Sequence, residues 1–166
     1  MYQLLVWIHL LAAMTWIGGA VFLVVVLAPV LRSPAMRDQA GALLAATGGR
    51  LKAMGWVCIV TLVSTGTALL EYRGVRVADL VNPCFYRSAH GQSIGLKVLL
   101  VSVIVSLSLW HDLSVGPRAR DLMVSAPRSP EAAAARRLAG WLGRLTLLIG
   151  LAVVLLAVFI VRGRPF

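Results

Sequence analysis

Acidic residues are scarce in this chain. It has 6 Asp and Glu against 16 Lys and Arg, and charged residues of both signs make up only 13% of 166. A soluble domain carries about 25% charge, so a separate soluble domain is excluded. The apolar runs hold no carboxylate pair and no serine beside a plausible base, so acid–base and nucleophilic catalysis have no candidates. There are 2 cysteines, Cys58 in an apolar run and Cys84 in a connection. They form no CxxC pair, no disulfide between them is expected, and each reads as a small apolar filler. No Met-rich or His-rich tract exists to store a metal. The formal charge of +10 falls in connections and helix ends and makes no basic patch on a soluble fold, so nucleic acid is excluded as a partner. Residues 1–3 carry no positive charge and the first apolar run is too long for a leader core, so that run is expected to be retained.

What the chain has in quantity is apolar sequence, 60% of it. Residues 4–31 contain no Asp, Glu, Lys or Arg, and a run of ~18 apolar residues already crosses a bilayer core as a helix. Three further helices are expected at about 51–72, 91–113 and 138–161. The expected fold is all-α: one transmembrane domain over 1–166, an integral membrane four-helix up-down bundle with short connections, its partner the lipid bilayer. Segments 32–52 and 114–144 together carry ten Lys and Arg, against five in 73–90 and the tail. Positive charge collects on the cytoplasmic side, so the expected location is a bacterial cytoplasmic (inner) membrane, with both termini predicted on the periplasmic side. Tyr2, Tyr72 and Tyr86 then fall at the outer ends, and Trp56, Trp110 and Trp141 at the inner ones.

The 3 histidines are the candidate ligands. An imidazole within an apolar run is costly and by default faces a partner or cofactor, which singles out His9. Counted back from the inner ends, His9 and His90 sit at similar depth at the outer edge, and His111 sits alone at the inner edge, beside Trp110 and Asp112. His90, Lys97, Ile104 and His111 are seven apart and share one drifting stripe. On the first helix His9, Ala12, Ala13, Trp16, Gly19 and Ala20 share a face of mainly small residues, which admits a flat ring. Two imidazoles at one depth above such a groove suit haem b held between helices. His9, His90, His111, Lys97, Trp16 and Gly19 are therefore the candidate cofactor-binding residues, Lys97 facing a propionate or an anionic substrate. The matching function is electron transfer, with a quinone or redox protein as partner and a homodimer possible. Copper is the alternative, held by His9, His90 and Met14 near the outer face, with His111 as a further candidate metal ligand.

Three stretches carry a resemblance: WIHLLAAMTWIGGAVFLVVVLAPVLR, RLKAMGWVCIVTLVSTGTALL and GLKVLLVSVIVSL. A histidine precedes W-x-G-G, an Arg-led second helix holds the pair Thr65-Gly66, and Gly-Leu-Lys opens the third. These resemble the CopD copper-resistance membrane domain. The chain is also similar to HemJ-type protoporphyrinogen oxidases, with a histidine on the first helix, a later lysine, and the end Arg164-Pro165-Phe166 in place of Lys-Pro-Phe. The resemblance implies functional roles for His9 and Lys97, with copper handling in the first family, and haem b on His9 with porphyrin oxidation in the second.

Overall fold

The computed structural model describes residues 1–36, 39–126 and 129–162. Arg37, Arg128 and the Arg164-Pro165-Phe166 end, used above for charge and resemblance, lie outside the described residues. The described chain is helical and contains no strand. The principal helices are α1 (Tyr2–Val21), α2 (Ala28–Arg32), α3 (Ala40–Tyr72), α4 (Ala89–Trp110), α5 (Gly116–Ser125) and α6 (Pro130–Val161). Four stretches are long and apolar enough to cross a membrane: Tyr2–Leu31, Ala46–Tyr72, Ala89–Leu122 and Pro130–Val161. The chain is a multi-pass membrane protein.

The helices outrun their apolar cores. α3 starts at Ala40 rather than near residue 51, because residues 40–50 are rich in Ala and Leu, strong helix formers. α1 and α2 are joined by a π-helical turn at Phe22–Leu27, and α4 and α5 by another at His111–Val115. Each turn closes two residues before a proline, Pro29 or Pro117. Proline lacks an N–H and its ring crowds the carbonyl four residues back, and the wider turn relieves this without breaking the rod. The bonds show the change of register: the Ala28 N–H donates to the Leu23 carbonyl and the Gly116 N–H to that of His111.

Ends are set by local chemistry. The Ser88 hydroxyl accepts from the Gly91 N–H at the start of α4, and the Ser129 hydroxyl from the Ala132 N–H at the start of α6, where Pro130 sits at a first-turn position that needs no donor. α3 ends at Tyr72 and is closed by Gly74, with φ +79°. The Val75 N–H donates back to Leu70 and the Gly74 N–H to Glu71, and Val75 is buried. This is a Schellman closure, and it holds Arg73 at the tip of α3.

α1 packs on α3, α6 packs on α4, and α1 touches α6. Glycines set two of these approaches: the Trp16 ring lies where a Cβ of Gly150 would be, at 2.6 Å, and the Met54 methyl lies 3.2 Å from the Cβ position of Gly19. α3 and α4 do not form a closely packed pair. We call the end carrying Tyr2 and Tyr72, whose rings meet edge to face at 5.8 Å, the upper end. There residues 77–87 form two 3-10 turns, Val77–Val81 and Pro83–Arg87, the second resting on the start of α4. The Tyr86 ring covers Gly95 and its hydroxyl donates to the Leu80 carbonyl. Large apolar side chains point outward, Trp7 at 65%, Val25 at 64% and Leu148 at 62% exposure, as lipid-facing residues do.

Candidate functional site

His9 lies two turns into α1 and is half-buried against α3. Its Nδ1 is 2.8 Å from the Thr65 Oγ1. Thr65 is 7% exposed, and its hydroxyl donates to the Thr61 carbonyl at 2.6 Å. A hydroxyl has one proton. With that proton on Thr61, the Thr65 oxygen can only accept, so His9 carries its proton on Nδ1 and a lone pair on Nε2. Among the described residues nothing hydrogen-bonds Nε2, and no buried side-chain nitrogen or oxygen is left unpaired, so this nitrogen is accessible. Gly66 completes the seat, because its Cβ position is 3.5 Å from the His9 Cε1. A ring nitrogen fixed through its opposite N–H is the arrangement found behind metal-binding histidines.

Lys97 is half-buried in α4. His90 is exposed in the first turn of α4, and its ring makes no hydrogen bond among the described residues. Of the stripe on α4, Ile104 is buried, Lys97 and His111 are half-buried, and His90 faces out.

His111 belongs to a second cluster at the lower end, around Asp112. The His111 Nδ1–H donates to Asp112 Oδ1 at 2.9 Å, and the Trp56 indole N–H donates to Oδ2 at 2.8 Å. Lys52 Nζ lies 4.0 Å from Oδ2 and donates to the Asp112 carbonyl at 3.3 Å. This knot ties α3 to the π turn after α4. Sequence reasoning placed His111 beside Asp112 but missed Trp56 and Lys52, because their meeting depends on helix register across the bundle. Thr65 was visible only as part of a motif.

The small-residue face of α1 is filled by protein. Trp16 seats on Gly150 and Met54 on Gly19, so a porphyrin laid there would displace a packed side chain. These residues do not fit haem. Among the described residues, no group of three or more His, Cys, Asp or Glu stands together to hold a metal.

The profile of copper resistance protein D, CopD, matches residues 45–160, which run from α3 to α6. The chain belongs to the copper resistance protein D family. It is also 31% identical over 165 residues to an uncharacterized protein of Aquifex aeolicus (strain VF5), covering 98% of this chain and 97% of that one. No solved structure matches the chain. Within the segment matched by the CopD profile lie Thr65, Lys97 and the Asp112 cluster. His9 lies before it, within the span shared with the Aquifex relative.

Proposed function

We propose that this CopD-family protein handles copper as cargo in the membrane, with the Nε2 of His9 as a transient ligand at the upper end. The observation that carries the reading is the 2.8 Å contact of His9 Nδ1 with the Thr65 hydroxyl, itself 2.6 Å from the Thr61 carbonyl, an arrangement that favours the Nδ1–H form and leaves the lone pair on Nε2. One imidazole suits passage better than storage, since resident metal sites gather three or four ligands. His111 is held in the same sense by Asp112 at the lower end, so its Nε2 is the natural second ligand. The lower end, with its arginine-rich connections, is the cytoplasmic one in this reading.

Copper accumulation by cells lacking their own copper importers, expressing wild type, His9→Ala or His111→Ala at equal membrane levels, tests the assignment. The wild type is expected to change cellular copper, and His9→Ala to abolish the change. Equal copper in the His9→Ala and wild-type cells would reject His9 as a ligand. An absorbance spectrum of the purified protein is the accompanying control, and a Soret band lost in His9→Ala would transfer that histidine to haem.

A further inference from the structure

At the lower end α6 enters the membrane with an arginine at the boundary. Counted back ~20 residues from Val161, where α6 ends, the inner edge of a ~30 Å apolar core falls near Leu142. Arg144 therefore stands at or just inside that edge, and every residue from Leu145 to Val161 is uncharged. An arginine at this depth is costly unless its head reaches the polar layer or an anion. Helical side chains lean towards the N-terminus of their helix, and in α6 that direction leads out of the core. The Arg144 guanidinium accordingly lies over the Trp141 ring, 5.7 Å from its centroid. No carboxylate pairs with Arg144 among the described residues. The Trp141 indole N–H makes no hydrogen bond among them either, whereas that of Trp56 donates to Asp112. Trp141 is 66% exposed, so the pair faces outward from the bundle.

We propose that Trp141 and Arg144 bind the phosphodiester headgroup of an anionic phospholipid in the leaflet at the lower end. The guanidinium offers a planar fork for two phosphate oxygens. The ring beneath holds that fork in place by cation–π attraction, and the indole N–H supplies a further donor for a phosphate or ester oxygen. Helix register carries the site into the core: Leu145, Leu148 and Leu155 continue the face of Trp141 along α6, all three exposed, and give the acyl chains a wall to lie on. Charge selects the lipid. Phosphatidylcholine carries the same phosphate, but its choline cancels the charge, while phosphatidylglycerol stays anionic. Arg118 and Arg120, exposed on α5 at the same end, add positive potential without an aromatic seat. The proposal is independent of copper, and its test contains none.

The full-length protein is purified and delipidated in neutral detergent, and native mass spectrometry follows binding of the first phosphatidylglycerol or phosphatidylcholine molecule titrated onto it. The wild type is expected to prefer phosphatidylglycerol. Arg144→Gln should weaken that binding about tenfold, the loss of one charge-assisted hydrogen bond. Trp141→Leu should weaken it about two- to fivefold, the loss of an exposed cation–π pair. Arg120→Gln removes the same charge from α5, away from the seat, and should leave binding unchanged. The site is overturned if the wild type shows no preference, or if Arg144→Gln binds phosphatidylglycerol as the wild type does. An equal loss in Arg120→Gln and Arg144→Gln also overturns it, because binding would then follow net charge alone. Trp141 points outward, so Trp141→Leu keeps the test decisive if Arg144→Gln fails to fold, and wild-type binding in that variant would reject the seat.

Discussion

Replacing Thr65 by Val is the sharpest perturbation of the His9 seat, because it keeps the shape of the side chain and removes one oxygen. The His9 Nδ1–H loses its 2.8 Å acceptor in a position where Thr65 is 7% exposed. Stranding a buried donor costs ~1–3 kcal/mol in water-soluble proteins, while side-chain hydrogen bonds between membrane helices average ~0.6 kcal/mol. The stability loss should sit near the lower figure, a fall in melting temperature of roughly 1–2 °C for a chain of this size. The functional effect should be larger. Without Thr65 the imidazole is free to turn and to place its proton on Nε2, and losing such an outer partner typically lowers metal affinity by ~10–100-fold. Copper(I) affinity measured against a chromophoric chelator, with histidine 15N spectra for the tautomer, reads both consequences. Thr65→Ser keeps the oxygen and should restore the Nδ1–H form and most of the affinity. If Thr65→Val retains that tautomer and binds copper within about twofold of wild type, against the loss expected of an outer partner, the seat does not prepare His9 for a metal.

The remaining expectations concern packing, the lower cluster and orientation. Gly91→Ala should destabilise the protein more than Gly95→Ala in a detergent melt: a Cβ at 91 collides with the rigid Phe85 carbonyl, whereas at 95 it meets the Tyr86 ring at 2.5 Å, which can swing aside. Gly150→Val should cost ~1–3 kcal/mol by overpacking against Trp16. Asp112→Ala removes the acceptor shared by Trp56 and His111 and the counter-charge of Lys52, so a loss of ~1–3 kcal/mol is expected, together with faster proteolysis of the connection after α5. With the upper end outside, a membrane-impermeant maleimide added to intact cells should label Cys84, which is exposed, and spare Cys58, which is buried. Labelling of Cys84 only after the cells are opened would invert the orientation.

The spans were legible in the sequence because crossing a bilayer is a condition on length and polarity alone, and residues 4–31 meet it without any knowledge of neighbours. Their true ends were less legible. Nothing in a hydropathy pattern separates a helix that stops at the membrane surface from one that runs on, as α3 does back to Ala40. The site was half-visible. His9 stood out because an imidazole in apolar surroundings needs a reason, and Lys97 for the same cause. The face shared by Trp16 and Gly19 was a weaker guide. Small residues let something approach closely, but the pattern does not name the visitor, and here it is Met54 at one glycine and Trp16 reaching Gly150 on α6 at another level.

Composition and periodicity alone therefore determined that this chain lives in a membrane, crosses it with four apolar helices and carries few ionisable groups at depth, since those follow from transfer free energies residue by residue. Which groups meet was decided only in three dimensions. Thr65 fixes the proton of His9 from 56 residues away, and Asp112 gathers Trp56 and Lys52 from another helix. Lys97 has no carboxylate partner among the described residues. Such pairings depend on helix rotation and on which helices are neighbours, and the bundle sets both by packing side chains that the sequence lists far apart.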